Sequence, residues 1–279
     1  MADTKNSAGS TLAKNGLSPK KLFGQNFLVN VGICEKIAEQ SVCGDELGII
    51  EVGPGMGALT KELAIRAKKV VAIEIDSDLI PVLEENLREF DNVEVINCDI
   101  LKIDLKKVIV EHFQGMRVGV VGNLPYYITS PIIMMLLEQR LPIEFIVAMV
   151  QKEAAQRFCA SEASRECGAV TLAIRYYSEP QMLFDVAAGS FYPPPNVTSS
   201  VIRLEVRASD VKPADEARMF AVIKAAFSQR RKTAANSISS VLAVEKASVI
   251  RSIESLGLDP SIRPERMTIQ NFSDLSALI

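Results

Sequence analysis

Val118-Gly119-Val120-Val121-Gly122 runs directly into Asn123-Leu124-Pro125-Tyr126. The first five residues form a short apolar run with the β-branched content of a buried strand. The next four therefore stand at a strand end, where ligands bind in an open α/β sheet. Asn123 brings a side-chain carbonyl, a strong acceptor. Pro125 has no amide hydrogen, fixes its own φ and pushes Leu124 towards an extended conformation, which can aim the Leu124 carbonyl where the Asn123 oxygen points. Tyr126 adds a flat face. Two acceptors converging beside an aromatic face suit a planar amine with two hydrogens, such as the amino group of an adenine. Taken alone, the four residues fit a plain turn with Tyr126 in the core equally well, so the rest of the chain decides.

On both sides of this stretch, strand and helix patterns alternate. Residues 48–52, 69–75, 93–98, 118–121 and 145–150 read as strands. Residues 58–67, 77–90, 105–113 and 130–139 read as helices between them, with Ser77 a possible N-cap and Pro131 in a first turn. Helical stretches at 152–160 and 170–177 follow. This repetition predicts an α/β fold with a parallel sheet and helices on both faces. Residues 181–186 and 200–206 are late strands with no helix between them, which suggests an antiparallel edge hairpin. Their connection, Phe191-Tyr192-Pro193-Pro194-Pro195, is too rich in proline for a helix. Residues 208–214 read as a linker, and beyond them the pattern is helical only, at 217–227, 233–241, 246–256 and 275–279. The predicted organisation is a disordered tail over 1–18, an α/β domain over 19–207 and a small all-helical domain over 208–279. Residues 20–30 are not periodic and read as an arm or a lead-in to a helix at 31–41.

Composition narrows the chemistry. The 279 residues are 48% hydrophobic, enough for a substantial core. No run reaches the ~18 apolar residues of a membrane span, and the polar N-terminus lacks the apolar centre of a secretory signal. The five cysteines (Cys34, Cys43, Cys98, Cys159, Cys167) form no C-x-x-C and read as reduced packing thiols of a cytoplasmic protein, with no zinc site. The single histidine, His112, looks like a surface residue at a helix end, which removes histidine-based triads and histidine-rich metal centres. Net charge is -3, against a protein that coats itself in nucleic acid. Acids are nevertheless absent between Asp3 and Glu35, where Lys20 and Lys21 stand, and between Glu216 and Glu245, where Arg230, Arg231 and Lys232 stand. Two basic surfaces on an acidic body can meet phosphates; each alone also fits a solvated face.

Glu51-Val52-Gly53-Pro54-Gly55-Met56-Gly57 lies between a strand and a helix. Its glycines let the backbone turn sharply and approach a ligand. Gly53, Gly55 and Ala58 fit the G-x-G-x-x-A form of a dinucleotide fingerprint, and Glu74 or Asp76 about 20 residues on can take ribose hydroxyls. Alone, this loop supports NAD and S-adenosylmethionine equally. Asp99 after the third strand offers an acceptor for an adenine amino group, which a dinucleotide site does not need. Glu51, Glu74 and Asp99 make the strand ends acidic, which suits a sulfonium and repels a pyrophosphate. With Asn123-Leu124-Pro125-Tyr126 after the fourth strand, these features favour S-adenosylmethionine. An NAD-dependent oxidoreductase would need a hydride-handling residue, and His112 is poorly placed for that.

The chain resembles the KsgA-type ribosomal RNA adenine dimethyltransferases. The resemblance is carried by Gly24-Gln25-Asn26-Phe27-Leu28, Glu51-x-Gly53-x-Gly55-x-Gly57, Glu74-x-Asp76, Asp99, Asn123-Leu124-Pro125-Tyr126, Gln151-Lys152-Glu153, Phe191-x-Pro193-Pro194-Pro195-x-Val197-x-Ser199 and Phe227-Ser228-Gln229-Arg230-Arg231-Lys232-Thr233, in family order from about residue 20 to the C-terminal end. It implies a Rossmann-like class I methyltransferase fold with a seven-stranded, mostly parallel sheet and a helical C-terminal domain. The implied activity is dimethylation of two adjacent adenosines at N6, in a loop near the 3′ end of 16S rRNA in an immature small ribosomal subunit, by a protein read as a monomer. The implied cofactor contacts are Asn26, Leu28, Gly53, Gly55, Glu74, Asp99 and Asn123. Asn123, Leu124, Pro125 and Tyr126 would hold the reacting amino group, and Phe191 would stack on the target base. Lys20, Lys21, Arg230, Arg231 and Lys232 are the candidate RNA contacts. The chain departs from the family pattern at Glu166-Cys167-Gly168-Ala169-Val170-Thr171 and at Ala234-Ala235, which bears on RNA contacts rather than on chemistry. Two further readings are a large-subunit (23S) rRNA methyltransferase of the antibiotic-resistance type and a non-catalytic factor that binds pre-ribosomal particles.

Overall fold

Strands β2 (Leu47–Val52), β3 (Lys69–Glu74), β4 (Val93–Asn97), β5 (Arg117–Asn123) and β6 (Phe145–Gln151) run parallel in a computed structural model of the protein. The structure describes residues 9–42, 44, 46–229 and 231–279, with Lys21 described by its backbone alone. β9 (Ser199–Val206) lies antiparallel to β6, and β7 (Ser178–Val186) lies beyond it, so the seven-stranded order is β4-β3-β2-β5-β6-β9-β7. This is the Rossmann-like architecture expected, with β9 antiparallel beside β6 and β7 at that edge. Every residue of β2 is buried, as befits a strand covered on both faces. A side chain on Gly119 would place its Cβ 2.1 Å from the Phe145 ring, so glycine in β5 makes room for the aromatic of the neighbouring strand.

The order of strands locates the site. β3 lies on one side of β2 and β5 on the other. The chain therefore winds in opposite directions from β2, and a crevice opens at the carboxyl ends of β2 and β5. Val52 and Gly122 are paired across that boundary, so the glycine loop and Asn123 face each other.

Several local features differ from the sequence pattern. The helix expected from Ser77 begins at Ile80 and runs to Leu87. Before it, Asp76 forms a turn: its carboxylate accepts the Asp78 N–H at 3.2 Å and its carbonyl the Leu79 N–H at 3.0 Å. Pro81 in the first turn then sets the helix start. A second, two-stranded sheet pairs β1 (Phe27–Leu28) with β8 (Phe191–Tyr192), Phe27 opposite Tyr192 and Leu28 opposite Phe191. Two residues per strand carry no readable periodicity. Residues 9–14 are helical, and Leu12 is buried against Phe27, Val29 and Leu79. The expectation of a disordered tail over 1–18 therefore fails from residue 9 onward, because one apolar residue finds a pocket beside the arm.

The chain divides into two compact units, residues 1–155 with 181–206, and residues 156–180 with 207–279. The segment 156–180, assigned from the sequence to the α/β domain, thus groups with the C-terminal helices. The reason lies in the helix Ala169–Tyr177. Tyr176 and Tyr177 donate their hydroxyls to Glu216 at 2.8 and 3.0 Å, and both rings contact Phe220. In the second unit the helix Glu216–Phe227 is capped by Asp215, which accepts the Arg218 N–H at 2.9 Å. The last helix spans Ile269–Leu278, longer than expected, because Thr268 and Asn271 form a capping box ahead of it. Among the described residues no helix is long and apolar enough to cross a membrane.

Candidate active site

The glycine loop leaves β2 through three left-handed residues, Gly53, Gly55 and Gly57, at φ 70°, 58° and 85°. Side chains there are strained. A Cβ on Gly55 would also stand 2.9 Å from the Phe27 ring, so the loop backbone lies directly against the arm. The Gly55 N–H donates to Glu74 Oε2 at 3.0 Å, and the Asp76 N–H donates to Glu74 Oε1 at 2.9 Å. Glu74 is buried, and burial, helped by repulsion from Asp76, pushes its carboxyl above the usual carboxylate range despite backbone donors at Asp76, Gly55 and Ile75. Each carboxylate oxygen keeps a further acceptor position. Glu51 is 1% exposed and its Oε2 has no hydrogen-bond partner among the described residues. Burial pushes its carboxyl up to about 8; the nearby Thr60 hydroxyl, itself without a hydrogen bond of ordinary geometry, offsets only part of this, and Glu74 adds repulsion.

Opposite the loop, Asn123 closes β5. Its Nδ2 donates to the Asn26 carbonyl at 2.9 Å, which leaves Oδ1 as the accepting atom of the carboxamide. The Leu124 N–H is taken by the Met149 carbonyl at 3.2 Å. The Pro125 carbonyl accepts the Ile128 N–H at 3.1 Å and the Thr129 hydroxyl at 2.9 Å. Among the described residues no donor reaches Asn123 Oδ1 or the Leu124 carbonyl, so two acceptors stay available. Tyr126 is anchored by a 2.7 Å hydrogen bond between its hydroxyl and Ser199 Oγ. Burial raises the phenol, and the Ser199 bond offsets part of that rise.

These groups line one open cavity that holds about 810 Å³ of unfilled space, counting its mouth. Of the residues expected at the site, Asn26, Leu28, Gly53, Gly55, Glu74, Asn123, Leu124, Pro125 and Tyr126 line it. Asp99 does not. It follows β4, accepts the Leu101 N–H at 3.0 Å and faces Lys102 at 3.5 Å. Phe191 is fully buried, belongs to the core cluster that includes Leu28, Cys34, Ile37 and Met149, and lies outside the lining. Lys20 is likewise committed elsewhere, with Nζ 2.6 Å from Asp76 and 2.7 Å from Asp78. Arg231 and Lys232 are exposed in the second unit, while the Lys21 side chain and Arg230 lie outside the described residues. Sequence reasoning missed Gln25, which donates to Asp76 Oδ2 at 2.7 Å. Those two residues are 51 apart, and no local pattern links them.

The cavity fits a cationic nucleoside. It offers a buried, unpartnered carboxyl oxygen on Glu51, a glycine backbone free of side chains, and an acid at the end of β3. With paired acceptors at the end of β5, the fold and site define a Rossmann-like methyltransferase that acts on an exocyclic amine.

Residues 16–275 match the family described as Ribosomal RNA adenine dimethylase, and the chain belongs to that family. It is 47% identical over 270 residues to a "Ribosomal RNA small subunit methyltransferase A" of Geobacillus sp. (strain WCH70), covering 95% of this chain and 93% of that one. It is 44% identical over 278 residues to the protein of the same name from Bacillus mycoides (strain KBAB4), covering 98% and 95%. Among solved structures, it resembles a dimethyladenosine transferase from Plasmodium falciparum with a TM-score of 0.72 and 26% identity, covering 88% of this chain and 94% of the other. The 23S rRNA methyltransferase ErmE gives a TM-score of 0.69 and 26% identity, covering 90% and 98%.

Proposed function

We propose that this protein dimethylates the N6 amino groups of two adjacent adenosines in a hairpin loop near the 3′ end of 16S rRNA, within an immature small subunit, using S-adenosylmethionine. The observation that carries this reading is the locked Asn123 carboxamide. Its nitrogen is spent on a backbone carbonyl, so its oxygen and the Leu124 carbonyl form a pair of acceptors in one cavity beside Tyr126. An adenine amino group is a poor nucleophile because its lone pair is delocalised into the ring. Asn123 Oδ1 and the Leu124 carbonyl each accept one amino hydrogen and favour a pyramidal nitrogen with a directed lone pair. Positioning of this kind supplies several kcal/mol of barrier reduction, by the order of magnitude of oriented reactions. Tyr126, held by Ser199, offers one stacking face, worth roughly 1–3 kcal/mol per base.

Asn26, Leu28, Gly53, Gly55 and Glu74 would hold the cofactor, with the Glu51 carboxyl in the same lining. When bound, that cofactor would supply an electrophilic methyl on a sulfonium, from which a neutral thioether leaves as the N–C bond forms, with one amino proton released to solvent in each transfer. A loop is the cheaper target because its bases are already partly unstacked. Arg231 and Lys232 are exposed for phosphate contact. The net charge of -3 favours a substrate that also offers shape and protein surface, as a preassembled particle does.

The small-subunit target rests on relatives of that name at 47% and 44% identity, against 26% for the 23S enzyme. The test is methyl transfer to small-subunit particles from a strain lacking the enzyme, with mass spectrometry of the rRNA. The expected product is two adjacent dimethyladenosines near the 3′ end of 16S rRNA. Asn123→Ala is expected to lower turnover about 100-fold, the usual cost of one oriented transition-state contact, with the melting temperature unchanged. Near-normal turnover in the variant, or label in 23S rRNA alone, refutes the reading.

A further inference from the structure

We propose that Lys20, Gln25 and Asp76 are positioning residues for methyl transfer: they latch the arm so that the Asn26 carbonyl holds the Asn123 carboxamide with its oxygen presented to the cavity. This rests on the function proposed above and adds a part of the chain remote from the reacting atoms.

The latch is a closed set of hydrogen bonds. Lys20 Nζ donates to Asp76 Oδ1 at 2.6 Å and to Asp78 Oδ2 at 2.7 Å. Gln25 Nε2 donates to Asp76 Oδ2 at 2.7 Å, while Gln25 Oε1 accepts the Lys20 N–H at 2.8 Å. Both ends of the Gln25 carboxamide are thus committed, which fixes its orientation. Asp76 is 3% exposed. Burial acts to raise its carboxyl, but Lys20 and Gln25 outweigh burial and hold it below the usual carboxylate range. An ammonium shared between two carboxylates leaves a local negative balance, which repels a phosphate. Lys20 is therefore a poor RNA contact and a good fastener.

The latch acts on the site through its neighbour in the chain. Asn26 sits immediately after Gln25, and its Nδ2 donates to the Gly24 carbonyl at 3.1 Å. On its other side, Phe27 and Leu28 pair with Tyr192 and Phe191. The Asn26 carbonyl is thereby bracketed between the latch and a two-residue strand. Such a strand is weak by itself, so releasing the latch frees the carbonyl to drift. The terminal torsion of an Asn side chain is broad and roughly two-fold. Without its carbonyl partner, the Asn123 carboxamide can turn its NH₂ towards the cavity, where it repels the amino hydrogens it should accept.

The test compares Lys20→Met and Lys20→Arg in the full chain. At saturating cofactor and particle, Lys20→Met is expected to lower kcat about tenfold, with KM for the particle within about twofold, while Lys20→Arg retains most of the rate; remote misplacement by about 1 Å costs up to about 100-fold. A second readout needs neither RNA nor cofactor. In ¹⁵N spectra, the side-chain NH₂ pair that disappears in Asn123→Ala should exchange faster with solvent in Lys20→Met than in the unmutated protein. Three results overturn the proposal: a raised KM for the particle with kcat unchanged, a rate fully restored by excess cofactor, or unaltered Asn123 exchange. If the unmutated protein leaves 16S rRNA unmethylated while the exchange difference stands, the substrate assignment fails and the latch survives.

Discussion

Replacing Glu51 by glutamine tests the electrostatics of the cavity floor. Burial holds this carboxyl protonated up to about 8, against an ordinary value of 4.5. At pH 7 the folded chain therefore binds a proton at Glu51 that the unfolded chain releases. Between 4.5 and about 8 the unfolded state binds fewer protons, so stability contributed here falls as pH rises; it is complete below 4.5 and gone above about 8. At about 1.36 kcal/mol for each pH unit, the interval corresponds to about 5 kcal/mol. Relaxation and water entering by the open mouth reduce the observable value to about 2–3 kcal/mol. Glutamine keeps the shape and cannot ionise. Glu51→Gln should match the unmutated protein at pH 5 and exceed it at pH 8.5, by several degrees at about 2–4 °C per kcal/mol. Thermal melts at the two pH values measure this. Melts repeated with S-adenosylmethionine add the converse, because a cation over Glu51 favours the ionised form. The unmutated protein should gain affinity as pH rises towards 8, and Glu51→Gln should bind more weakly without that slope. Equal destabilisation of the variant at both pH values would refute the reasoning, since it would mean that Glu51 is ionised and paired in the fold.

The packing around the site sets two further outcomes. Tyr126→Phe removes the 2.7 Å bond to Ser199 but keeps the ring; steady-state kinetics should show a loss below about tenfold, given about 1 kcal/mol for such a bond, whereas Tyr126→Ala should lose far more. Phe191→Ala should cost about 3–5 kcal/mol of stability, as for other buried aromatics, and Phe191→Leu should keep most methyl transfer; a large rate loss in Phe191→Leu at unchanged melting temperature would point instead to a base-stacking role.

The central strands were legible because β2, β5 and β6 are apolar runs bounded by turn residues, and that signal is local. The glycine loop, Glu74 and Asn123-Leu124-Pro125-Tyr126 were legible as a site because each ends or follows a strand, and the carboxyl ends of parallel strands meet at one edge. Tertiary structure decided what depends on partners distant in sequence. Phe191 has the same side chain in a core or on a surface, and only the fold shows it buried with Leu28, Cys34, Ile37 and Met149 in one core cluster. Lys20 reads as a phosphate contact until Asp76, 56 residues away, is brought within 2.6 Å. The helix Ala169–Tyr177 reads as part of the α/β domain until Glu216 and Phe220 take up its two tyrosines. Backbone preference and hydrophobic period are written along the chain, so the sequence by itself determined the elements and the chemistry of their ends. Which side chain meets which carboxylate, ring or carbonyl depends on how the folded layers bring remote segments together, and that only the tertiary structure decided.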